Sequence, residues 1–187
     1  AKLPGLGPRQ SARLAYHLLY EKKEYRELLA QAITSLTEVK RCANCFQAHE
    51  SVKNVCVFCA SFSRDSTRIM VVEKDMDFSN IERAGVYEGL YHILGGVISP
   101  LRPDSQKKLR LQELYNRVAK GGKVAEIILA TSATPEGDHT ARYIEQILEP
   151  FAKKDLKITR LGRGLSTGSE LEYSDAETFK SAYLNRK

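Results

Sequence analysis

The sequence predicts a multi-module α/β protein with a parallel-sheet domain at its centre. Three observations carry this: apolar positions at helical spacing within residues 1–41, four cysteines confined to residues 42–59, and strand and helix patterns that alternate from residue 67 onward. Modules are expected at 1–41, 42–66, 67–150 and 151–187, the last a strand and a helix. With 187 residues, 42% of them hydrophobic, the chain can bury a core.

Leu3-Pro4-Gly5-Leu6-Gly7-Pro8 reads as a tight turn, because Gly5 and Gly7 accept positive φ and Pro8 suits a first helical turn. A helix follows to Tyr20, with Ala12, Ala15, Tyr16 and Leu19 on one face. A second is expected over Tyr25–Val39, and the cysteine segment after it is turn-rich. Beyond it the spacing predicts strand Arg68–Glu73, helix Phe78–Ala84, strand Tyr91–Leu94 ending at Gly95-Gly96, and one helix over Ser105–Lys120 stopped by Gly121-Gly122. Strand Val124–Leu129, helix Glu136–Leu148, strand Leu156–Leu161 and helix Asp175–Leu184 complete the list. Alternation of this kind argues for parallel strands with helical crossovers.

Lys and Arg number 29 against 23 Asp and Glu, a net charge of +6. The excess sits at the ends: +4 over residues 1–41 and +3 over 151–187, against −1 over 67–150. A polyanion is expected near the ends, although solvated surface charge alone explains a net excess this small. No stretch approaches the ~20 apolar residues of a membrane helix. The start lacks a secretory pattern, so a cytoplasmic protein with no membrane partner is expected.

Cys42-Ala43-Asn44-Cys45 and Cys56-Val57-Phe58-Cys59 form C-x2-C-x10-C-x2-C. Two such knuckles can place four thiolates around one Zn²⁺, leaving no open position, so the ion would be structural. A redox CxxC, two disulfides and buried free thiols are the rival readings. His49 lies in the intervening loop and reads as a surface histidine.

The glycine turn, followed by Arg9 and Arg13 four residues apart, resembles a helix-hairpin-helix, in which backbone N–H groups and cations meet DNA phosphates. Lys2 is expected to join them. The first helix of that motif would precede Leu3; it is either trimmed or absent, and a plain helix start is the competing reading. Glu73 ends one strong strand, Asp77 follows, and Thr134-Pro135-Glu136-Gly137-Asp138 follows another. Acids at the carboxyl ends of parallel strands converge on one sheet edge. This arrangement resembles a Toprim domain, whose catalytic members hold Mg²⁺ with such carboxylates. Here the pair is Glu136-x-Asp138, where those members carry Asp-x-Asp, and acids at helix starts have a plain capping role as well.

These parts in this order resemble the RecR family of bacterial recombination mediators. The likeness runs through Leu3–Pro8, Cys56–Cys59, Gly89–Gly96, Ile98–Leu101, Glu126–Thr131 and Gly164–Tyr173, and spans nearly the whole chain. It implies a homo-oligomeric ring, commonly a tetramer, that DNA can pass through. It also implies work with RecO and RecF to load RecA onto single-stranded DNA at the bacterial nucleoid, without catalysis. By the same resemblance Lys2, Arg9 and Arg13 meet DNA, and Cys42, Cys45, Cys56 and Cys59 bind zinc. Glu73, Asp77, Glu136 and Asp138 form an acidic edge for partner contact. Two departures stand out: Arg102-Pro103-Asp104-Ser105 before Lys107-Lys108 replaces an acidic loop, and Ser132-Ala133 replaces Asn-Pro. Gly162-Arg163-Gly164 and Gly168 lack the Gly-Lys-Ser/Thr of a P-loop and read as a turn at a subunit contact. The alternatives are a Mg²⁺-dependent nuclease using Glu73, Glu136 and Asp138, and a protein-binding zinc module.

Overall fold

The computed structural model describes residues 3–102, 104–121, 124–168 and 170–186, and the chain separates into units Ala1–Lys40 and Arg41–Lys187. In the first unit, α1 (Pro8–Tyr20) starts with Pro8 in its first turn after Gly7 as cap, and Gly5 takes φ +78° in the turn before it. Helix α2 (Lys23–Ser35) ends four residues short of the expected Val39 and tightens into a 3-10 turn at Leu36–Glu38. The cause is local: Thr34, Ser35 and Thr37 hydroxyls donate to the carbonyls of Ala30, Ala32 and Thr34, competing with the helical backbone. Neither helix has a buried residue; Leu19, Leu28, Ile33 and Leu36 are all exposed.

A cysteine module begins at the boundary between the units: strands β1 (Lys40–Arg41) and β2 (Ala48–His49) pair around the first knuckle, and the short α3 (Val57–Ala60) carries the second. Next come β3 (Asp65–Val72), α4 (Asp75–Ala84), β4 (Gly89–Ile93), α5 (Leu111–Gly121), β5 (Glu126–Ala130), α6 (Pro135–Ala152) and β6 (Lys157–Arg160). The strands form one parallel sheet in the order β4-β3-β5-β6. The tail adds a 3-10 turn at Leu171–Tyr173 and α7 (Ala176–Leu184), whose start Asp175 caps by accepting from the Glu177 and Thr178 N–H groups.

Strand alternation divides the core into two layers. Ile69, Val71, Ile127 and Leu129 pack against Leu114 and Val118 of α5 and Ile144 and Leu148 of α6. Met70, Val72 and Ala130 pack with Tyr91, Ile93 and Phe78 of α4 on the other face, where Phe46 and Phe58 of the cysteine module join them. Both faces are covered, which explains the continuous apolar run of β3.

The expected single helix over Ser105–Lys120 is broken. A 3-10 turn at Ser105–Lys108 is followed by an extended step at Leu109 before α5 begins. Tertiary bonds override helical propensity there. The Arg110 N–H donates to the Leu94 carbonyl, and the Arg110 carbonyl accepts from His92 Nε2 at 2.8 Å.

Polar bonds fix the cysteine module to the sheet. The Ile93 N–H of edge strand β4 donates to the Cys45 carbonyl at 2.9 Å. Arg64 pairs with Glu82 of α4, donates to the Gly89 carbonyl at 2.9 Å, and lies 4.7 Å over the Phe58 ring. Asp75 Oδ1 accepts from Arg41 at 2.6 Å and from the Ala48 N–H at 3.3 Å.

Candidate metal centre and nucleic-acid interface

The Sγ atoms of Cys42, Cys45, Cys56 and Cys59 lie within 4.8 Å of one another, and among the described residues theirs is the group of donors able to hold a metal ion. A tetrahedral thiolate shell with bonds of about 2.3 Å requires sulfurs about 3.8 Å apart, and Cys45 and Cys56 are 3.5 Å apart. All four cysteines are free, and three are buried. Hydrogen-bond donation from Cys45 and then Cys59 pulls the Cys56 thiol far below its ordinary range, and the same sharing pushes Cys45 up. So many sulfurs cannot ionise together without a cation among them, so the donor set fits a thiophilic metal. The backbone adds to the shell, with the Cys56 N–H donating to Cys42 Sγ at 3.3 Å. His49 contributes no ligand; its Nδ1 accepts from the Ser51 N–H.

The acidic edge is less open than its residue types suggest. Glu73 follows β3 and is 4% exposed. Its carboxylate accepts from the Ser132 N–H at 2.6 Å and the Ser132 hydroxyl at 2.9 Å, joining the ends of β3 and β5. Asp77 caps α4 by accepting from the Lys74 N–H at 2.8 Å. Glu136 is half-buried in the first turn of α6, which Thr134 caps through the Gly137 N–H. Asp138 accepts a two-pronged pair from Arg163 and lies 3.5 Å from Arg160, which also grips Glu145 at 2.8 Å. Hydrogen bonding from Arg163 holds the Asp138 carboxyl below the usual carboxylate range.

Arg9 and Arg13 are both exposed on α1, four residues apart, with no ion-pair partner among the described residues. Lys2 lies outside the described residues. No described helix is long and apolar enough to cross a membrane.

Comparison with known proteins places this chain in one family. The chain is 42% identical over 188 residues to recombination protein RecR of Chloroflexus aurantiacus, covering 100% of this chain and 89% of that protein. The chain belongs to the RecR family. It is 38% identical to RecR of Dehalococcoides mccartyi and 36% identical to RecR of Ligilactobacillus salivarius, with 100% of this chain matched in each and 89% and 92% of those proteins. Within the RecR-family chain, residues 1–37 match the RecR helix-hairpin-helix model and residues 67–162 the Toprim domain model. The expected fold class is therefore the observed one, and the Toprim match takes in β6. Sequence reasoning named the acids of this edge but did not pair Glu73 with Ser132, or Asp138 with Arg160 and Arg163. Nothing local marks those partners.

Proposed function

We propose that this RecR-family chain is a recombination mediator with no chemistry of its own. In this reading its subunits form a ring, commonly a tetramer, that holds DNA while RecO- and RecF-type partners help load RecA, in the cytoplasm at the nucleoid. One observation carries the non-catalytic part. Glu73 is committed to Ser132 and Asp138 to Arg163 and Arg160, so two of the three carboxylates a Toprim nuclease would use for Mg²⁺, all but Glu136, are already engaged by protein donors.

Zn²⁺ suits the four sulfurs, which complete a tetrahedral shell and leave no site for water or substrate. Its role is structural. Arg9 and Arg13 meet phosphates beside the α1 N-terminus, Lys2 adds a third cation to the same segment of sequence, and such contacts are blind to base sequence. Exposed apolar residues on α1, α2 and α7, among them Leu19, Leu28, Phe179 and Leu184, support burial between copies of the chain. Asp77 and Glu136 offer surface to RecO and RecF, while Glu73 and Asp138 hold the edge in shape.

The test combines solution mass with DNA binding across a salt series. Arg9→Ala with Arg13→Ala should weaken binding at least tenfold and reduce the log–log salt slope by about 0.9 per lost contact. Unchanged affinity at low salt removes the hairpin from the reading. DNA cleavage that needs Mg²⁺ and disappears in Glu73→Gln would restore the nuclease alternative.

A further inference from the structure

A cleft of about 590 Å³ opens between the first cysteine knuckle and α5. That volume is in the range of small-molecule sites, roughly 300–1,000 Å³. Phe46 and Leu90 contribute apolar surface, Asn44 stands at the knuckle side, and Asn116, Arg117 and Lys120 line the helix side. Glu113 is the one acid in the lining.

The helix side is arranged to donate. Arg117 and Lys120 are three residues apart and share a face of α5. Arg117 is anchored, with one N–H on the Tyr91 carbonyl of β4 at 2.5 Å, and its other N–H groups have no partner among the described residues. Lys120 is exposed and likewise unpaired. Gln112 donates to Asn116 Oδ1 at 3.2 Å, leaving the Asn116 amide N–H groups to reach outward.

Apolar floor, paired cations and side-chain amides match the parts of a nucleotide. A base buries its faces on apolar and aromatic side chains, amides read its edge, and cations take its phosphate. A duplex presents no free base to such a cleft without unpairing. We propose that this cleft takes one unstacked nucleotide of single-stranded DNA. The proposal rests on the DNA-binding reading above and adds a second contact, apart from the arginines of α1, that distinguishes single strands from duplex.

The purified full-length protein would be photo-crosslinked to a single-stranded oligonucleotide carrying 5-iododeoxyuridine, and the linked peptides mapped by mass spectrometry. Links should fall in residues 42–46 or 111–120 as well as in the hairpin. Lys120→Glu, a change at an exposed position, should weaken single-strand binding about tenfold and duplex binding less than about twofold. Asn116→Ala should weaken single-strand binding without altering the salt slope. Links confined to residues 3–13, with Lys120→Glu binding single strands normally, would overturn the cleft and leave the hairpin reading standing. No linkage and no binding at low salt would sink both.

Discussion

Glu73 shows how a residue's type and its placement can point in different directions. A carboxylate after a parallel strand reads as a metal ligand or a partner contact, yet here it closes on Ser132 with two hydrogen bonds at 4% exposure. Glu73→Ala would leave the Ser132 N–H unpartnered and should cost about 1–3 kcal/mol in a denaturant melt. Glu73→Gln keeps an acceptor for that N–H and should lose less. Equal stability of Glu73→Ala and the parent chain would show that this bond does not hold the edge. Gly137 completes the same spot: a Cβ there would sit 2.1 Å from the Ser132 carbonyl oxygen, so the first turn of α6 approaches only because position 137 has no side chain. The four cysteines were legible in the sequence because ligand spacing is a local property. Ser132 and Arg163 were not, because they meet their acids across 59 and 25 residues.

At the level of elements, the parallel alternation was readable because both faces of the sheet are covered and β3 and β5 carry unbroken apolar runs. The break between the 3-10 turn and α5 was not, since nothing in Leu109-Arg110 disfavours a helix. It follows from bonds to Leu94 and His92, which only the fold supplies. The attachment of the cysteine module was equally hidden, resting on Arg64 and its contacts with Glu82, Gly89 and Phe58. Arg64→Ala should lower stability by about 1–3 kcal/mol, because Glu82 is left partly buried and unpaired. Arg64→Lys should rescue little of it, since an ammonium lacks the planar fork that reaches Glu82 and the Gly89 carbonyl at once and cannot lie flat over the Phe58 ring. A thermal melt of both variants checks this, and full rescue by lysine would mean that charge alone holds the module.

At the level of the whole molecule, one buried side chain couples the fold to acid. Burial depresses the His92 pKa from 6.5 to about 3, against the favourable bond to the Arg110 carbonyl and with Arg117 and Arg110 nearby. His92 is fully buried, and its Nδ1 has no partner among the described residues. Below pH 6.5 the unfolded chain takes up a proton that the folded chain refuses down to about pH 3, so this residue makes stability fall as pH falls across that window. The slope contributed is about 1.4 kcal/mol per pH unit. His92→Gln retains a donor for the Arg110 carbonyl and should flatten the curve between pH 6 and 4 relative to the parent; identical curves would remove His92 as the cause. The bond from Ile93 to the Cys45 carbonyl carries a consequence for handling the protein. That knuckle occupies the open side of β4, where a bare strand would recruit another chain. Under the Zn²⁺ reading proposed above, chelation should therefore produce more than loosened loops: chelated material should scatter light and bind amyloid dyes in a concentration-dependent way, and adding Zn²⁺ back before clumping begins should prevent it.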